Sequence, residues 1–295
     1  MITHPFKGAG VALITPFKED KSVDFNALEN IVEDQITNGM DYLVALGTTA
    51  ETPTLSSDEQ KEIVKCVISK NNGRLPVVVG MGGNDPVKII HCMQNFDLTG
   101  VSAILSVTPY YNKPTQEGLY QFYQEIIKAS PVPVILYNVP SRTGVHMDYQ
   151  TALRIAYSSE KVLGVKDASG ESSHCAFIAR SAPEWFKVIS GDDVLALPII
   201  AVGGAGVISV IANALPGKLS KLAHLANEHR LAEAQALHYQ LLDLFKLLFR
   251  EGNPSGVKAL MQIMGKAQNV LRLPLCPVGS ETFSMIEEAY KRLEN

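Results

Sequence analysis

The sequence predicts an α/β chain folded as a (β/α)8 TIM barrel with a C-terminal helical appendage. Three observations carry this prediction. Eight short, apolar, β-branched runs start 20 to 35 residues apart, close to the roughly 30-residue span of a βαβ unit. Segments whose apolar residues return every three or four positions fill most of the gaps. The glycines do not form the phosphate-binding fingerprint that a doubly wound open sheet carries directly after its first strand.

In chain order the strand candidates are VALIT from Val11, YLVAL from Tyr42, VVVG from Val77, AILSV from Ala103, VILY from Val134, VLGVK from Val162, KVIS from Lys187 and VISVI from Val207. Residues 58–70, 115–128 and 171–180 read as amphipathic helices between them. Strands this apolar need cover on both faces, which a closed barrel ringed by helices supplies. Gly8 and Gly10 are expected before the first strand, and the VGGAG run at 202–206 before the eighth. Gly80, Gly82 and Gly83 read as a tight turn from strand to helix. Residues 1–217 are thus assigned to the barrel. Residues 218–295 read as helical, divided by Gly252-Asn253-Pro254 and by 274–279, with LLDLFKLLF from Leu241 as a buried helix. This tail is expected to pack on the barrel or on another subunit, and its apolar faces favour an oligomer.

Composition removes several function classes. The chain has 295 residues, 46% hydrophobic and 19% charged, with 26 basic against 30 acidic residues and a net charge of −4. It is too apolar for a disordered protein, and its scattered cations form no stripe that would neutralise nucleic-acid phosphates. Cys66, Cys92, Cys175 and Cys276 lie far apart, without zinc-ligand spacing, and read as reduced packing residues. No secretory leader is recognisable, and no window holds the roughly 18 uncharged apolar residues of a membrane span. A cytoplasmic protein is expected.

In such barrels the chemistry stands at the C-terminal ends of the strands. Those ends read Gly47-Thr48-Thr49-Ala50-Glu51, Thr108-Pro109-Tyr110-Tyr111, Tyr137-Asn138 and Lys166-Asp167. Lys166 closes the apolar run Val162-Leu163-Gly164-Val165. There, burial would lower its pKa and free a neutral amine to attack a ketone, the Schiff-base strategy of class I aldolases. It could equally snorkel to solvent or pair with Asp167. Tyr137 has the same two sides, a proton shuttle or a core tyrosine with a tethered hydroxyl. The seven histidines are dispersed and no Ser-His-Asp set is visible, so neither a metal nor another cofactor is expected.

The motifs GTTAE at 47–51, SVTPYYNKPTQEGLYQFY at 106–123, YNVPSRTG at 137–144, GVKDASG at 164–170, SGDD at 190–193 and NPSGVKALMQIMG at 253–265 resemble those of the dihydrodipicolinate synthase and N-acetylneuraminate lyase family of pyruvate-dependent aldolases. The resemblance runs from about Gly8 into the tail. It implies that Lys166 condenses with pyruvate, that Tyr137 shuttles protons, and that Thr48 links Tyr137 to a Tyr111 reaching into the neighbouring subunit's site. Thr49 and nearby backbone N–H groups would hold the pyruvate carboxylate, with Gly191 and Ile208 lining the pocket. Arg142 resembles the residue of the synthase branch that receives the carboxylate of L-aspartate 4-semialdehyde through paired hydrogen bonds. A homotetramer, as a dimer of dimers, is implied as well.

Three departures stand out. Ala50 replaces the usual glycine of GTTGE, and NPSGVK replaces NPIPVK. The third concerns the regulatory site at which relatives bind lysine: Tyr110 and Asn84 are retained, but the glutamate position carries Lys88 and the histidine positions Ser57 and Gln60. A cation there repels the ligand's ammonium groups, so weak or absent lysine inhibition is expected. Two other functions compete at this stage, namely another pyruvate aldolase of the family acting on sugar aldehydes and a barrel that binds pyruvate without turnover.

Overall fold

A computed structural model describes residues 5–294. Strands β1 (Gly8–Ala12), β2 (Tyr42–Ala45), β3 (Val77–Gly80), β4 (Ala103–Val107), β5 (Val134–Asn138), β6 (Val162–Asp167), β7 (Lys187–Ser190) and β8 (Gly206–Ser209) form one closed parallel barrel in sequence order. The ring closes where β1 pairs with β8, in the register Gly8 with Gly206 and Gly10 with Ile208. The helices are α1 (Phe25–Thr37), α2 (Ser57–Asn71), α3 (Pro86–Gln94), α4 (Gln116–Ala129), α5 (Pro140–Thr143), α6 (Tyr149–Ser158), α7 (Ser172–Ser181), α8 (Ala196–Ala201), α9 (Pro216–Asn227), α10 (Leu231–Leu247), α11 (Ser255–Ile263) and α12 (Ser280–Glu294).

Alternation along the strands splits the apolar residues into two cores. Val11, Leu43, Val134, Val165 and Val207 face the helices, whereas Ala12, Val44, Ile135, Ile189 and Ile208 fill the barrel. Helices α1 to α4 start where the sequence supplies side-chain caps. For α2, the Ser56 hydroxyl accepts from Glu59 N at 3.2 Å and the Glu59 carboxylate accepts from Ser56 N at 2.9 Å, a capping box.

Gly8 and Gly10 do not precede the first strand, as expected above, but lie within it. A Cβ on Gly10 would stand 2.1 Å from the Tyr42 ring, and one on Gly206 would stand 1.8 Å from Gly8 O. Gly10 lacks a side chain because the Tyr42 ring occupies the space it would need, and Gly206 because the Gly8 backbone does.

The last barrel helix is α9, which packs against β1 and β8, so the division expected at residue 217 falls inside it. Beyond it, α10 packs on α8 and α9, and α12 packs on both α10 and α11. The tail therefore lies on the barrel. The 241–249 segment is buried on one face only: Leu241, Leu244, Phe245 and Leu248 are covered, but Leu242 and Phe249 are exposed. Of the cysteines, Cys175 is buried and Cys66 half-buried, whereas Cys92 and Cys276 are exposed and do not serve packing. Among the described residues no helix is long and apolar enough to cross a membrane.

Candidate active site

Strand parity sets the central group. Val165 packs in the outer core, so Lys166 turns into the barrel and Asp167 turns out. Lys166 is 5% exposed and does not snorkel to solvent. Its ladder neighbour is Tyr137, itself buried, and the amine lies 4.4 Å from the centroid of that ring.

Asp167 is occupied on the far side. One carboxylate oxygen accepts from Ser169 N at 3.1 Å and Ser169 Oγ at 2.6 Å. The other accepts from Asn138 Nδ2 at 2.8 Å and lies 3.2 Å from His174 Nδ1. Burial works to raise the Asp167 pKa, but His174, Ser169 and Asn138 together outweigh it and hold the carboxyl at about 2. Burial would likewise lower His174, yet the facing carboxylate raises it on balance. Because His174 Nε2 meets Met147 O at 3.0 Å, both ring nitrogens face acceptors, the arrangement that favours the doubly protonated imidazolium. The sequence alternative of a Lys166–Asp167 pair is thus replaced by an Asp167–His174 pair.

Asp167, His174 and Cys175 could bring three ligand atoms within 4.8 Å of one another. The donor set does not suit a metal. Both carboxylate oxygens are already engaged, and burial pushes the Cys175 thiol well above its ordinary range, against the thiolate that a metal requires.

After β2 the chain makes two 3-10 turns, Thr48–Ala50 and Thr52–Thr54, the first closed by Glu51 in the left-handed region at φ 56. Thr15 Oγ1 donates to Ala50 O at 2.7 Å, and Thr52 Oγ1 donates to Gly47 O at 3.0 Å. Thr49 is buried, and its hydroxyl accepts from Asn253 Nδ2 at 2.9 Å. Arg142, on the short helix α5, reaches Asn253 O at 3.5 Å.

Thr48, Tyr137 and Arg142 line one cavity of about 590 Å³. Its outer wall carries Asn84, Lys88, Tyr110 and Gln60, so Thr48, Tyr137 and Arg142 share a chamber with the residues singled out for regulation, whereas Lys166 and Thr49 do not line it. Asn84 donates to Tyr110 O at 3.2 Å, and Lys88 points to solvent 4.0 Å from Asp85. Gly191 packs against the key lysine, since a Cβ there would stand 3.1 Å from Lys166 Cε. Ile208 is buried in the barrel interior. Tyr111 is not brought into the chamber of its own chain: it is 91% exposed, at φ 72.

Several groups escaped the sequence reading. Asp193 is fully buried at the end of β7, where one oxygen accepts from Val210 N at 3.1 Å and Ile211 N at 2.9 Å, and burial raises its pKa to about 6. Glu51 and Lys258 form a wholly buried ion pair. A lysine amid the apolar residues of SGVKALM was the available signal, but nothing in the sequence names its partner.

The profile of the Dihydrodipicolinate synthetase family matches residues 5–293. A 4-hydroxy-tetrahydrodipicolinate synthase from Parabacteroides distasonis is 48% identical over 97% of each chain. Two solved structures superpose with a TM-score of 0.94: dihydrodipicolinate synthase from Aquifex aeolicus, 38% identical over 98% of each chain, and the chloride-inhibited enzyme from Acinetobacter baumannii complexed with pyruvate, 38% identical over 98% of this chain and 99% of that one.

Proposed function

The chain belongs to the dihydrodipicolinate synthetase family, and on that premise we propose that it acts as a 4-hydroxy-tetrahydrodipicolinate synthase through a Schiff base on Lys166. Pyruvate and L-aspartate 4-semialdehyde are the substrates of this lyase. The observation that carries the assignment to Lys166 is its place: a buried amine inside the barrel mouth, beside Tyr137, with its neighbouring acid committed elsewhere.

The lysine Nζ adds to the pyruvate ketone carbon. Tyr137 supplies the proton that lets the former carbonyl oxygen leave as water, giving the imine. Loss of a methyl proton then forms an enamine whose carbon attacks the aldehyde. The semialdehyde's own amino group next adds to the imine carbon, which releases Lys166 and closes the ring. Thr49 and adjacent backbone N–H groups hold the pyruvate carboxylate, Arg142 receives that of the semialdehyde, and Gly191 and Ile208 shape the pocket. Thr48 passes protons between Tyr137 and Tyr111 of the partner subunit. A hydroxyl chain suits a water-poor mouth because it moves protons without burying a full charge.

The 91% exposure of Tyr111, outside its own chamber, supports a relay completed across an interface. We place the enzyme in the cytoplasm as a homotetramer, a dimer of dimers. Exposed Tyr157, Tyr239, Leu231 and Leu273 offer apolar surface to such contacts, and four free thiols suit a reducing compartment.

Borohydride reduction in the presence of pyruvate is expected to add one pyruvate-derived mass to Lys166; no adduct, or one on another lysine, rejects the mechanism. Arg142→Ala is expected to lower kcat/KM for the semialdehyde by roughly ten- to hundredfold, the loss of a charged hydrogen-bonded contact, and to leave pyruvate trapping intact. Equal loss toward both substrates would remove Arg142 from its assigned role.

A further inference from the structure

The turn that carries Thr48 and Thr49 is tied to the tail. Glu51 closes that turn with its N–H on Thr48 O at 3.2 Å, and its side chain is fully buried. One carboxylate oxygen accepts from Lys258 Nζ at 2.5 Å, the other from Arg272 N at 3.0 Å. Lys258 also donates to Val270 O at 2.9 Å, and its amine lies 4.3 Å from the centroid of the Phe17 ring. Asn253, at the head of α11, adds the bond to Thr49 Oγ1.

Two physical points give this arrangement meaning. A residue with a side chain stays in the left-handed region only where its surroundings enforce it. A buried ion pair is a weak stabiliser, since apolar residues of equal volume often do as well. What a charged pair supplies better than an apolar one is direction, and here the direction fixes a turn bearing two hydroxyls. Because Thr49 Oγ1 accepts from Asn253, its own proton is free to be donated into the mouth.

We propose that Glu51 and Lys258 are positioning residues: their ion pair locks the turn and thereby sets the Thr48 and Thr49 hydroxyls for the pyruvate half of the reaction. This rests on the roles assigned to Lys166, Thr48 and Thr49 above. The semialdehyde half depends on Arg142, which stands on α5 and not on the locked turn.

Steady-state kinetics and borohydride trapping on the full chain test the proposal with Glu51→Gln, Lys258→Met and the double variant. Glu51→Gln keeps the side chain's shape, and the double variant leaves no buried charge alone, so the test survives if Lys258→Met by itself fails to fold. In the folded variants the KM for pyruvate is expected to rise, and the trapping rate at saturating pyruvate to fall, by roughly tenfold each, with the semialdehyde KM held within about twofold. Lys266→Met cuts a different tail-to-barrel pair, Lys266 Nζ with Asp34 Oδ2 at 2.6 Å, and is expected to lower the melting temperature with pyruvate kinetics unchanged. Wild-type pyruvate KM and trapping rate in Glu51→Gln and the double variant would overturn the proposal. An equal rise in both substrates' KM would also overturn it, as general loosening. Wild-type protein that traps no pyruvate at Lys166 would instead overturn the underlying reading, a failure visible before any variant is made.

Discussion

At the scale of single residues, the chemistry was most legible where strand parity decides it. A lysine ending an apolar run was visible in the sequence, but whether it faced the barrel or paired with Asp167 depended on the ladder. Once Val165 is in the outer core, Lys166 must point inward and its neighbour outward. The partner of Asp167, His174, lies on a helix, where it looked like one of several dispersed histidines. The pair has a defined pH signature. Asp167 is depressed to about 2 from 3.8, so its contribution, about 2 kcal/mol, is present above pH 4 and lost as pH falls toward 2. His174 is raised above 6.5, so its contribution is present below that pH and lost as pH climbs through its folded value. Thermal melts across pH 2–8 are therefore expected to show the pair's support greatest between about pH 4 and 6.5. In His174→Gln the acid limb should be shallower and end at a higher pH, because Asp167 loses the strongest of the contacts that depress it. An unmoved acid limb would separate the two residues.

At the scale of elements, β2 to β7 and the helices α2, α4 and α7 follow their apolar periods to within a residue at each end, whereas β1 starts and stops three residues before the run read for it and β8 stops two residues short. The glycines of β1 misled for a physical reason. In sequence a glycine reads as an interruption, since it packs nothing, yet here the missing side chains make room for the Asp41 carboxylate at Gly8 and for the Tyr42 ring at Gly10. Gly10→Ala tests that directly. With a new Cβ 2.1 Å from the ring, overpacking is expected to cost about 1–3 kcal/mol and to lower the melting temperature by roughly 2–10 °C. An unchanged melt would mean that the ring has somewhere else to go. The turn after β2 marks the limit of local reading. Its Glu51 is held by Lys258, 207 residues away, and no periodicity reports a contact of that separation.

At the scale of the whole molecule, the chamber joins Thr48, Tyr137 and Arg142 to a rim bearing Asn84, Tyr110 and the exposed cation Lys88. The ammonium groups of lysine meet repulsion there, so millimolar lysine is expected to leave the initial rate nearly unchanged; a rate halved at that concentration would show that another group offsets Lys88. The assembly of the barrel was legible from the spacing of its strands, while the tail's role was not, because helices that pack on a barrel and helices that pack on a neighbour share one pattern. The wholly buried Glu51–Lys258 contact also has a bearing on biosynthesis. A ribosome delivers the acid early and its cation, with the Arg272 amide, only near the end of the chain. Until then the β2 turn holds a carboxylate whose buried partners do not yet exist, so it must stay hydrated. The last seventh of the message therefore acts as a completion check on the first fifth.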